Sequence, residues 1–157
     1  MSSTDVSGEA GEAESALGVD MNLEVVTLPV ADVDRAKAFY QSLGWRLDID
    51  LVVGDQVRTV QFTPPHSGCS IQFGKGRTAA EPGSAQAMIL VVKDIDAARD
   101  DLIERGVDVS EVQEMKPPGF DAPGRSYFAR ASFSDPDGNG WELQEITTRL
   151  PGRTWED

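Results

Sequence analysis

The sequence predicts an α+β fold in which two tandem β-α-β-β-β units curl a mixed sheet around a pocket, with the helices outside. Three observations carry this. The segment TLPVADVDRAKAFYQSLG is echoed by ILVVKDIDAARDDLIERG. Asp32 matches Asp94, Val33 matches Ile95, Asp34 matches Asp96, Ala36 matches Ala98 and Gly44 matches Gly106, always sixty-two positions apart. A constant offset across strand, cap, helix and stop implies duplication of one structural unit. After each helical stretch the pattern changes to short apolar runs bounded by Gly, Pro and Asp clusters, which read as strands and turns.

Leu23 to Val30 reads as the first strand, with Pro29 near its end. Asp32 or Asp34 caps a helix in which Ala36, Phe39, Tyr40 and Leu43 fall near helical spacing, and Gly44 stops it. Strands follow over Trp45 to Val53, Gln56 to Thr63 and Cys69 to Phe73, separated by Gly54-Asp55 and by the loop Pro64-Pro65-His66-Ser67-Gly68. Gly74 to Ser84 is a polar linker. In the second unit, Ala87 to Val92 is a strand, Asp94 or Asp96 caps a helix that Gly106 ends, and Val107 to Met115 is a strand closed by Pro117-Pro118. Ser126 to Phe133 and Trp141 to Thr147 complete the set around the turn Asp135-Pro136-Asp137-Gly138-Asn139-Gly140. That turn matches the opening of a calcium-binding EF-hand loop, but Ile146 stands where the bidentate glutamate belongs and no helices flank it.

The domain is expected over residues 21–147, as repeats at 21–74 and 85–147. Residues 1–20 carry five carboxylates and no Lys or Arg, the composition of a disordered tail. Residues 148–157 form a second tail. The formal net charge of −13 disfavours nucleic acid and anionic membrane surfaces as partners. A single cysteine, Cys69, excludes a disulfide within the chain and favours the cytoplasm. No apolar run approaches the roughly 20 residues of a membrane span.

At the two repeats and the DPDGNGWELQE ending, from about Leu23 to about Ile146, the sequence resembles the vicinal oxygen chelate superfamily. This group includes glyoxalase I, extradiol dioxygenases, methylmalonyl-CoA epimerase, fosfomycin-resistance enzymes and bleomycin-binding proteins. The resemblance implies a cup lined by both units, and a homodimer. In metal-dependent members, one cup-facing residue on each of four strands binds a divalent ion, with histidines on the first strand of each half, seven residues before the capping aspartate. Those positions here are Val25 and Ala87, which cannot bind a metal. The position on the last strand is Glu142, and its counterpart in the first half is Gln72. The lone histidine, His66, sits in a loop. A transition-metal site wants imidazole or thiolate, so the expectation is no metal and no cofactor.

Alternation places Val25, Thr27, Ala87, Ile89 and Val91 along the cup floor, which is then mostly apolar. Glu142 alternates with Trp141 and Leu143, and Gln72 and Gln144 share its face. Tyr127, with Tyr40, Trp45 and Trp141, is a candidate to stack on an aromatic ligand, though a core position is the commoner fate of a helical residue such as Tyr40. Arg58 and Arg130 are candidates to pair with a ligand anion, though a surface ion pair is the commoner fate of such residues. His66 as a base and Cys69 as a nucleophile each lack an activating partner. The expected function is binding of a small apolar or aromatic molecule without the usual metal. The alternative is a glyoxalase-like lyase or isomerase with Glu142 as base, metal-free or with an atypical ion. A third possibility is an interaction module whose cup is filled by side chains. The sequence leaves open whether the protein is an enzyme.

Overall fold

The computed structural model describes residues 18–119 and 124–150. The acidic segment at residues 1–17 and the end of the chain from residue 151 lie outside the described residues, so most of both expected tails does too.

The elements run β1 (Val25–Thr27), α1 (Val33–Ser42), β2 (Arg46–Val53), β3 (Val57–Thr63), β4 (Ser70–Lys75), β5 (Met88–Val92), α2 (Ile95–Glu104), β6 (Gln113–Glu114), β7 (Ala129–Ser134) and β8 (Gly140–Glu145). They form two four-stranded sheets, ordered β1-β4-β3-β2 and β5-β8-β7-β6. In each sheet the first strand pairs in parallel with the last, and the other pairs are antiparallel. The duplication read from the sequence is therefore a duplication of topology: one β-α-β-β-β unit, built twice.

The helices begin and end where the sequence places their signals. Asp32 caps α1 by accepting from the Arg35 backbone N–H at 3.0 Å, and Asp94 caps α2 by accepting from that of Ala97 at 3.0 Å. Asp34 and Asp96 in the first turns complement the helix dipoles. Gly44 and Gly106 follow the helices with φ of 81° and 87°, a conformation that favours glycine.

One expected strand is largely absent. Of Val107 to Met115, only Gln113–Glu114 pairs as a strand. Val107 and Val109 are buried in the core instead. The segment touches the edge of β7 only at intervals, through Ser110 N–H to the Ser132 carbonyl and Met115 N–H to the Phe128 carbonyl. Its apolar residues serve packing beneath α2, which periodicity alone does not separate from a strand. The first strand is also shorter than expected. Pro29 has no N–H to donate, and its carbonyl accepts from Gly83 N–H and Asn139 Nδ2 rather than from a neighbouring strand.

One aromatic cluster links the halves. Tyr40 on α1 packs on Phe73, Trp45 and Phe62 of its own unit and edge-on against Trp141 of the other, with the Trp141 centroid 6.2 Å away. Trp45 meets Trp141 at 5.3 Å, and Phe133 stacks on Trp141. A polar knot sits against this cluster. The Tyr40 hydroxyl donates to Asp135 Oδ2 at 2.8 Å and accepts from Trp141 Nε1 at 3.0 Å. Asp135 also accepts from the Asp137 and Asn139 backbone N–H groups and from Asn139 Nδ2, all at 2.9 Å. Asn139 reaches on to the Pro29 carbonyl at 2.8 Å, and Asp137 Oδ1 accepts from Ala31 N–H and Arg35. The Asp-Pro-Asp-Gly-Asn turn of the second unit is thereby docked on the β1–α1 loop of the first. Gly83 lines the joint: with φ of 81°, an added Cβ would fall 2.1 Å from the Asp137 carbonyl oxygen.

Burial and the Asp135 carboxylate raise the Tyr40 pKa far above the ordinary phenol range, so the hydroxyl remains a donor. Tyr40→Phe removes that donor and leaves Asp135 and Trp141 each short of a buried partner. The expected cost is about 1–3 kcal/mol, read as a lower denaturation midpoint in urea with unchanged slope. A loss within error of zero would show that the knot does not hold the halves together.

Candidate functional site

Each sheet has one face packed against helix and core and one face turned away from them. In the first unit, Val60, Phe62, Ile71 and Phe73 lie on the helix side and are buried. Register places Gln61 beside Gln72, and Thr27 beside Gln72, on the opposite, open face. In the second, Ala129, Ala131, Phe133, Trp141 and Leu143 are buried on the helix side. Ser132 pairs with Glu142, Ile89 with Glu142, and Arg130 and Val91 with Gln144 on the open face.

The open face of the first sheet carries a connected row of polar groups. Arg77 Nη2 donates to Gln72 Oε1 at 2.9 Å, Gln72 Nε2 to Gln61 Oε1 at 2.8 Å, and Gln61 Nε2 to Asp48 Oδ2 at 3.1 Å. Thr63 donates to the same Asp48 oxygen and also contacts the Ser70 hydroxyl. Asp48 reaches this face because β2 is irregular between Leu47 and Ile49, where an extra residue interrupts the pairing with β3. Burial alone would raise the Asp48 pKa, but hydrogen bonds from Thr63, Arg46 and Gln61 outweigh it and hold the carboxyl below its ordinary range. Ile49 and Leu51 continue this face along β2 and are 42% and 54% exposed.

The open face of the second sheet is simpler. Glu142 Oε2 accepts from Arg130 Nη1 at 3.2 Å, and Ile89 beside it is 47% exposed. Two cavities lie here. The larger, of about 620 Å³, takes Ala87, Asp108, Ser132, Ser134 and Glu142 together with Phe39 of α1. The smaller, of about 250 Å³, takes Met115, Phe128, Arg130, Ser132 and Glu142. Neither includes a residue of β1 to β4.

The sequence-derived site residues thus fall into two groups on different sheets. Val25, Thr27 and Gln72 are neighbours on the first. Ile89 and Glu142 are paired on the second, with Gln144 two residues on. Ala87 stands just outside β5 with φ of 58° and lines the larger cavity. Gln144 is buried, its Nε2 donating to the Tyr127 carbonyl at 2.9 Å. Tyr127 is half-buried before β7, and its hydroxyl accepts from Leu150 N–H at 3.1 Å. Tyr40, Trp45 and Trp141 belong to the buried core and not to an open face. Arg58 is on the helix side, held by Asp50 and Asp34. His66 is exposed in its loop, and burial, followed by the charge of Glu24, raises the Cys69 pKa. Among the described residues, no three His, Cys, Asp or Glu side chains converge as a metal-binding group. Sequence reasoning missed Asp48, Gln61, Thr63 and Arg77. Gln61 lies beside Gln72 through the register of β3 on β4, which the sequence does not print, and Asp48 owes its position to a strand irregularity with no local sequence mark.

The profile of the Glyoxalase/Bleomycin resistance protein/Dioxygenase superfamily matches residues 22–143. The chain belongs to this superfamily. Similar solved structures include TnmS3, an antibiotic binding protein from Streptomyces sp. CB03234. It is 29% identical with a TM-score of 0.66, over 82% of this chain and 98% of that one. A glyoxalase/bleomycin resistance protein from the same organism is 31% identical with a TM-score of 0.61, over 78% and 99% of the two chains. The fosfomycin resistance protein FosX from Listeria monocytogenes, at 19% identity and a TM-score of 0.54 over 84% and 96% of the chains, shares the fold. No curated protein sequence matches the chain. No helix among the described residues is long and apolar enough to cross a membrane.

Asp50 accepts from Arg58 at 3.0 Å and Lys37 at 2.8 Å, and these bonds, Arg58 first, set its carboxyl well below the ordinary range. A depressed folded-state pKa stabilises the protein at neutral pH, and that stability is lost as pH falls from the unfolded value toward the folded one. Unfolding free energy measured between about pH 5 and pH 2 is therefore expected to fall less steeply in Asp50→Asn than in the parent. Equal slopes would contradict the assignment.

Proposed function

We propose that the protein binds a small apolar or aromatic molecule on the open faces of its sheets, without a resident metal ion, as a cytoplasmic homodimer. The composition of those faces carries the proposal. The positions corresponding to the family's metal ligands hold Val25, Gln72, Ala87 and Glu142, and only Glu142 is an effective ligand for a divalent cation. The surrounding exposed side chains, Ile49, Leu51 and Ile89, are apolar. The similarity to an antibiotic binding protein supports an antibiotic as the ligand, held and released unchanged. Glu142, ion-paired with Arg130, then serves as a polar contact at the edge of the binding face rather than as a base.

The homodimer follows from the same surfaces. Both described cavities lie against the second sheet, while Ile49 and Leu51 on the open face of the first are exposed apolar side chains. In the dimer a second copy closes over these faces and completes the cup. Ile49→Asp combined with Leu51→Asp is expected to convert a dimer into a monomer in sedimentation velocity. A parent protein that sediments as a monomer at micromolar concentration would remove this part of the proposal.

A thermal-shift screen of aromatic antibiotics tests the binding itself. A ligand that binds the native state raises the melting temperature by mass action. The expected result is a concentration-dependent rise that is the same with and without chelator. A rise that requires added Mn²⁺, Ni²⁺ or Zn²⁺ and disappears in Glu142→Ala would replace the proposal with a metal-dependent one. Turnover of a compound by the parent but not by Glu142→Gln would replace it with the lyase or isomerase alternative.

A further inference from the structure

We infer that the row Arg77–Gln72–Gln61–Asp48 is a specificity device that selects ligands bearing a hydrogen-bond acceptor oxygen, such as an aromatic carbonyl, on the open face of the first sheet. This rests on the binding function proposed above and adds the chemistry of the ligand. The direction of the row is fixed by its ends. Arg77 can only donate, so Gln72 must turn its Oε1 toward it. An ionised Asp48 can only accept, so Gln61 must turn its Nε2 toward it. The middle bond then runs from Gln72 Nε2 to Gln61 Oε1, as observed at 2.8 Å. Each amide oxygen already accepts one bond within the row. Each amide nitrogen carries two hydrogens and spends one. An N–H of Gln72 and an N–H of Gln61 therefore remain without a partner among the described residues.

Two amides in a reversible pair present either donors or acceptors according to the ligand. Locked between a guanidinium and a carboxylate, they cannot invert without setting N–H against Arg77 or oxygen against Asp48. A ligand group that donates must share an oxygen that already accepts from Arg77 or Gln72, whereas a group that accepts meets an N–H not yet engaged, so acceptors are favoured. The hydroxyls of Thr27 and of Thr59, which pairs with Leu51 on the same face, rotate to suit either partner and do not set this preference. The flanking Val25, Ile49 and Leu51 supply apolar contact to the remainder of an aromatic frame. Asp48 and Arg77 act here as positioning residues, and Gln61 and Gln72 as the groups that touch the ligand.

The test compares two probes of nearly the same size and apolarity, fluorenone, which carries one carbonyl, and fluorene, which carries none. Both are titrated by quenching of tryptophan fluorescence in the full-length protein. The parent is expected to bind fluorenone about threefold to tenfold more tightly, the range that one net hydrogen bond supplies. Gln72→Met and Gln61→Met should each reduce that ratio, and the double variant should bring it to one, with fluorene binding and melting temperature retained as evidence of folding. Arg77→Leu combined with Asp48→Leu should reduce the ratio without removing either amide, because with neither end fixed the row is free to invert. Equal affinity of the parent for the two probes, or a preference that survives in the double variant, would overturn the inference and leave the binding function standing. Binding of neither probe would count against both.

Discussion

The carboxylate of Asp135 is the point at which the two halves of the chain become one structure. It is buried and accepts from a phenol, two backbone N–H groups and a side-chain amide. Of these donors, Tyr40 alone comes from the other half. A buried carboxylate left unpaired would be costly, and one fully hydrogen-bonded is tolerated and directional. The bond to Tyr40 fixes where α1 sits relative to β8, and hence the packing of Tyr40, Trp45 and Trp141. Asn139 and Asp137 extend the same joint to the backbone of Pro29 and Ala31, just after β1. The five-residue turn therefore contributes to setting each open sheet face relative to the other, together with the aromatic cluster and the Arg105 bond to the Ser42 carbonyl.

This division of labour leaves most side chains of the open faces outside the main core. The core lies on the helix side of both sheets, so the residues on the other side contribute little to holding the fold. They are a mixture of apolar side chains and satisfied polar groups: the amide row on one sheet, the Arg130–Glu142 pair on the other. Substitution there can change the chemistry of the exposed faces without opening the core, which allows one scaffold to serve a superfamily that includes an antibiotic binding protein and dioxygenases.

The architecture was legible because it was written twice. Asp32 and Asp94 as caps, Gly44 and Gly106 as stops and the Asp-Pro-Asp-Gly-Asn turn are local signals, each acting through the backbone within a few residues. The failures were non-local. Val107 and Val109 resemble a strand in spacing but pack under α2, because apolar periodicity records burial and not hydrogen bonding. Trp45 and Trp141 were candidate ligand platforms, but aromatics of this size are the natural filling for the joint between the halves, where helical Tyr40 also sits as core. The turn was read as a turn, yet nothing in its letters announced that Asp135 would bond Tyr40 some ninety-five positions away. At the site, Gln72 and Glu142 were reached through the family resemblance, while Asp48 was hidden by the irregularity in β2.

The most direct test of the account is backbone nitrogen–proton correlation spectroscopy of the labelled protein at saturating fluorenone. Ligand on the open faces predicts the largest shift changes at Gln61, Gln72, Ile89 and Glu142, together with the side-chain amide signals of the two glutamines, while Tyr40, Phe62 and Leu143 on the helix side change little. Changes concentrated on the helix side, or at surface residues away from both sheets, would contradict binding at the open faces.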